Sequence, residues 1–165
     1  MMPPMGINTP TSMPEFSPDL LAERATLSSF VDILETEQRA LLTEHTEQLQ
    51  TLADSKIQIV HELSDLIKKR RNKLSLLGIN IETGSMEVWL QTYATSSLPV
   101  WRDIQQLVER AQQLNHANGE LIKTKLRHNQ QAFNALHKAA HSANGLYGPD
   151  GQPHLATPGR TLGSG

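Results

Sequence analysis

The run from Trp101 to Ala140, WRDIQQLVERAQQLNHANGELIKTKLRHNQQAFNALHKAA, contains no proline, and its reading decides the fold. Ile104, Leu107, Val108, Ala111, Leu114, Leu121, Ile122, Phe133 and Leu136 recur in it at helical intervals, the pattern of a long helix with one apolar stripe. Its middle, NHANGELI from Asn115 to Ile122, interrupts that stripe with Asn115, Asn118 and Gly119. A glycine inside a helix costs about 1 kcal/mol relative to alanine, so something other than helix propensity holds it there. Two readings stand open. Buried asparagine can set the register of packed helices while glycine lets a neighbouring backbone come close, or the interruption marks a groove for an incoming amphipathic helix.

Upstream, residues 18 to 77 carry no proline after Pro18 and no glycine. Leu20, Leu27, Leu34 and Leu41 fall seven apart, and the pattern resumes at Leu49, Leu52, Ile59, Leu63, Leu66 and Leu77, a coiled-coil-like seam. A second stripe, Ile57, Val60, Ile67 and Leu74, predicts contact with two neighbours in the later half. Unbroken, this helix would run roughly 90 Å at about 1.5 Å per residue. Gln38, His45 and Lys56 are polar seam positions where a bend is expected. Ser17-Pro18-Asp19 predicts the helix start, with Ser17 as N-cap. Lys68, Lys69, Arg70, Arg71 and Lys73 oppose the dipole at its end, and Leu77-Gly78-Ile79 predicts a glycine cap with Ile79 folded back on Leu74. A short helix over Met86–Ser96 presents Val88, Trp89 and Tyr93 before Ser97-Leu98-Pro99 restarts the chain.

The predicted fold is all-α: an elongated antiparallel hairpin or bundle with coiled-coil-like packing of two long helices, a short connecting helix and disordered ends. Residues 1–17 are expected as a proline-rich disordered lead-in, 18–143 as the helical domain, and 144–165 as a flexible tail. Antiparallel docking is expected to set the acidic side chains between Asp19 and Asp65 beside Lys123, Lys125, Arg127 and Lys138.

Composition narrows the chemistry. The 165 residues are 38% hydrophobic and only 4% aromatic, which leaves the core to the aliphatic side chains of helix seams. The absence of cysteine removes disulfides, thiol catalysis and the common structural zinc sites. A net charge of -2 gives no electrostatic case for nucleic acid. Neither a signal peptide nor a membrane-length apolar run is present, so a soluble, unexported protein is expected. His137 and His141 would share a helix face, but no third ligand completes a metal site. No nucleophile elbow, phosphate loop or isolated carboxylate pair points to an enzyme, and no cofactor is expected.

Trp101, NHANGELI, the HNQQAFNAL run from His128 to Leu136, and LYGPDGQ from Leu146 to Gln152 together resemble the FlgN family of flagellar export chaperones. The resemblance is close over Trp101–Gln152 and general over the first long helix. It implies a cytoplasmic chaperone without ATPase activity that holds hook-associated (hook-filament junction) proteins by their C-terminal helix before export. Cargo would bind at Leu121, Ile122, Leu126, Phe133 and Leu136. Tyr147 resembles the tyrosine that docks to the export gate, so the export apparatus, gate and ATPase complex, is the second implied partner. Trp101, Asn115, Asn118 and Gly119 carry the structural signature. The first 17 residues and the tail beyond Gln152 depart from the family pattern and receive no role. A rival reading is a structural coiled-coil or tethering module that homo-oligomerises, as a homodimer for instance, without a chaperone cycle.

Overall fold

The computed structural model describes residues 16–80 and 85–146, the side chains of 143–146 excepted. Among these residues there are four α-helices and no strand: α1 Ser17–Thr43, α2 Leu49–Leu76, α3 Met86–Tyr93 and α4 Leu98–Leu146. The expected tail, the LYGPDGQ motif beyond Leu146 and residues 1–15 of the lead-in lie outside the described residues. The chain divides into two units after Gly119.

The helical stretch over 18–77, whose continuity the sequence leaves open, is two helices, parted beside His45, one of the expected bend positions. Glu44 closes α1 in the left-handed region at φ 61°, and a 3-10 turn at Thr46–Gln48 leads into α2. The break falls where the seven-residue leucine spacing slips to eight, between Leu41 and Leu49, next to the polar position His45. Doubling back gives the α1 seam a partner at once: Asp19 faces Lys69 and Lys73, Glu23 faces Arg70, and Glu37 faces Lys56, which is antiparallel pairing. An unbroken helix would have left much of that seam in water, at about 25 cal/mol per Å² of apolar surface.

The first part of α4 lies against both. Arg24 pairs with Asp103, Glu35 with Arg110, and the Leu34 carbonyl accepts from Asn118, so α4 runs parallel to α1. Its opposite polarity to α2 follows from Arg70 over Trp101 and Lys56 on Asn115. Asp19, Glu23 and Glu37 of α1 thus find partners on α2, and Glu35 finds Arg110. The basic cluster Lys68, Lys69, Arg70, Arg71 and Lys73 does more than oppose a helix dipole, since three of its five members, Lys69, Arg70 and Lys73, hold Asp19 and Glu23.

Leu20, Leu27, Leu74, Met86, Leu90, Leu98 and Ile104 form one core cluster, and Val31, Leu34, Ala111 and Leu114 a second. Phe16 also belongs to the first, at 3% exposure and edge-on to Trp89 with ring centroids 5.1 Å apart. Ser17 is already helical, so Phe16 is the cap residue and no side chain caps α1; Pro18 occupies its first turn. The end of α2 is as the sequence predicts. Gly78 sits at φ 71°, its amide donates to the Ser75 carbonyl, and the Ile79 amide donates to Leu74 at 3.0 Å, a Schellman cap. The second stripe of α2 is only half used: Leu74 is fully buried, but Ile57 and Val60 are exposed.

The Asp19 carboxyl is held below its ordinary value of 3.8 by the hydrogen bond from Lys73 and the Lys69 ammonium, against the opposing effect of burial. A carboxyl lowered in the folded state stabilises above its unfolded pKa and loses that contribution as pH falls through the folded value. Asp19→Asn should therefore cost about 1 kcal/mol at pH 7. The difference in melting temperature from the parent should shrink below about pH 4. A pH-independent difference between pH 7 and pH 3 would show that the ion pair contributes nothing.

Candidate protein-binding site

In the first unit, the NHANGELI interruption is resolved residue by residue. Asn118 is 1% exposed, and its amide nitrogen donates to the Leu34 carbonyl at 2.8 Å and to the Glu37 carboxylate at 2.9 Å. Glu37, itself buried, also accepts from Lys56 at 3.1 and 3.2 Å, and Lys56 reaches Asn115 at 3.4 Å. One polar knot thus ties α1, α2 and α4 together where an aliphatic layer would otherwise lie. Asn118 Oδ1 is buried without a hydrogen-bond partner, a penalty this knot carries. Lys56, expected as a bend position, is instead a member of the knot.

Gly119 has open space around it among the described residues. A Cβ at this position meets no heavy atom within 4 Å, so among the described residues no neighbouring backbone comes close, as one of the two readings would have it. Trp101 is half-buried beneath the Arg70 guanidinium, 5.0 Å from its ring centroid, and its indole nitrogen has no acceptor.

In the second unit, α4 continues without a break through Leu146. Of the sequence-predicted cargo residues, Leu121 is half-buried, while Ile122, Leu126, Phe133 and Leu136 are 37%, 63%, 63% and 70% exposed. Their offsets of 4, 11 and 14 from Ile122 place these four along one helix face. A row of large apolar side chains left in water on one face is the mark of an interaction surface, since single exposed leucines are ordinary but aligned ones are not. Phe133 stacks on His137 with ring planes 7° apart, and His137 meets His141 edge-on at 4.6 Å. The histidine pair thus extends the row as an aromatic ladder. Among the described residues no group of three His, Asp or Glu gathers as a metal site would require. Nor is any helix long and apolar enough to cross a membrane.

Nothing along the chain marks the buried Glu23–Arg70 pair, because each residue reads locally as one more charge on a solvated face. Tyr147, the expected docking residue, lies outside the described residues.

A family model described as FlgN protein matches residues 13–154, a span that takes in α1 to α4 and LYGPDGQ. No curated protein and no solved structure matches the chain. A match over most of the length, on the residues that carry the resemblance, makes the chain a member of the FlgN family.

Proposed function

We propose that this chain is a cytoplasmic chaperone of flagellar type III export that binds the C-terminal helix of hook-associated proteins and delivers them to the export apparatus. Membership of the FlgN family supports the chaperone class. The observation that carries the reading is the exposed row Ile122, Leu126, Phe133 and Leu136, with Leu121 at its edge. A cargo whose terminal helix bears a matching stripe would polymerise early. Covering that stripe withholds it from other copies at about 25 cal/mol per Å² of apolar area buried, with no bond made or broken. Tyr147, whose role rests on the family resemblance, would dock the loaded chaperone to the export gate.

Changing Leu126, Phe133 and Leu136 together to Ala should abolish co-purification of hook-associated proteins and leave the helical circular dichroism intact, since none of the three is buried. Retained cargo would remove the row as the binding site. In the same assay Tyr147→Ala should keep the cargo and lose export. The rival reading, a self-associating coiled-coil module, predicts by light scattering a stable oligomer that the triple variant dissolves and that cargo leaves unchanged.

A further inference from the structure

The exposed row is a heptad seam with a charged margin of one sign. Ile122, Leu126, Asn129, Phe133, Leu136 and Ala140 are spaced 4-3-4-3-4, which assigns Ile122, Asn129 and Leu136 to d positions and Leu126, Phe133 and Ala140 to a positions. The flanking e and g positions are Lys123, Lys125, Gln130, Ala132, His137 and Ala139. From Leu121 to Leu146 the helix carries Lys123, Lys125, Arg127 and Lys138 and no Asp or Glu. The chain as a whole has net charge -2, so this segment stands apart from the rest in sign. Among the described residues Lys123 is the one of these cations with an ion pair, to Glu120 at 3.0 Å, and both side chains of that pair are more than half exposed. Such an exposed pair is worth little.

We propose that the occupant of this seam is an acidic amphipathic helix, apolar at its own a and d positions and bearing carboxylates opposite Lys123 and Lys125. The inference rests on the cargo-binding reading and adds the chemistry of the cargo's flanks. Coiled-coil partners are chosen by e and g charges, and a margin of lysines without acids selects against basic or self-complementary helices. A second copy of this chain paired in parallel is disfavoured on the same ground, because Lys123 and Lys125 of the two helices would meet with no carboxylate between Leu121 and Leu146 to relieve them. An anionic membrane also attracts basic amphipathic helices. The seam is narrow and has Asn129 at its middle d position, a device that sets register against one partner helix and that an acyl surface would not reward.

The test uses the full chain and two fluorescent peptides, each about three heptads long, with Leu at a and d and either Glu or Lys at e and g. By fluorescence anisotropy at low salt the Glu peptide should bind about tenfold tighter than the Lys peptide. The gap should narrow at about 0.5 M salt, and K123E/K125E should invert it while leaving the circular dichroism unchanged. Equal affinities, both lost in the Leu126, Phe133 and Leu136 triple variant, overturn the charge preference yet leave the row as the binding site. Retention of hook-associated proteins by the triple variant removes the row itself. Tighter binding to anionic phosphatidylglycerol vesicles than to the Glu peptide, or dimers in light scattering that K123E/K125E leaves intact, also overturns the proposal.

Discussion

Glu23→Ala should cost about 3–5 kcal/mol of unfolding free energy, a large share of the roughly 5–15 kcal/mol a domain has. Glu23 and Arg70 are joined by two hydrogen bonds, 2.9 and 3.1 Å long, with side chains 4% and 11% exposed. Arg70 also lies over the Trp101 ring, so it is walled in by α1 on one side and α4 on the other. Removing the carboxylate leaves a buried guanidinium that cannot reach water without parting the helices. The cost comes from the stranded charge more than from the lost bonds. The double replacement Glu23→Leu with Arg70→Met should therefore recover most of the loss, because an apolar pair of similar volume bears no desolvation penalty. Urea unfolding of the three variants measures this; a single-variant loss under about 1 kcal/mol would mean that water already reaches Arg70.

A second large effect is expected at Asn118. Asn118→Ala deletes two hydrogen bonds, one of them to a carboxylate, and opens a small void beside Leu34 and Leu114. Together these should cost about 2–3 kcal/mol. Asn118→Leu fills the space and also removes the orphaned Oδ1, so it should cost less. What it should lose is uniqueness. With no directional bond from α4 to the Leu34 carbonyl and Glu37, neighbouring registers of α4 on α1 become nearly equal in energy. The Leu variant should keep its helicity and show broadened or doubled amide signals for residues near Leu34 in a two-dimensional NMR spectrum. One sharp set of signals in that variant would refute the register role.

The cost of the knot explains why the signature looks like a defect in the sequence. Asn118 interrupts an aliphatic stripe because its amide is matched to a carbonyl and a carboxylate on another helix, a fact of three-dimensional pairing. Gly119 beside it has no such explanation among the described residues: the space around it is open. Its helix-weakening effect is therefore uncompensated by packing among the described residues.

Much of the fold follows from local chemistry. The α4 stripe, the Leu77-Gly78-Ile79 stop, the restart at Leu98-Pro99 and the short helix carrying Trp89 are all set by periodicity and capping, which act within a few residues and so can be read along the chain. The exposed row on α4 was likewise visible as spacing, although exposure itself was not.

What the sequence determined by itself is which stretches are helical, the stop at Leu77-Gly78-Ile79, the restart at Leu98-Pro99 and the apolar faces that must be covered. Only the tertiary structure decided how those faces are shared. The seam of residues 18–77 is compatible with one long helix or with two that fold back, since periodicity records that a face is apolar and not which helix covers it. The turn at Glu44, the parallel course of α1 and α4, and the burial of Glu23, Arg70, Glu37 and Asn118 depend on energies of contact between residues about 20 to 80 positions apart. Those energies exist only once the helices have met, which is why the charges that hold this bundle read in the sequence as ordinary surface.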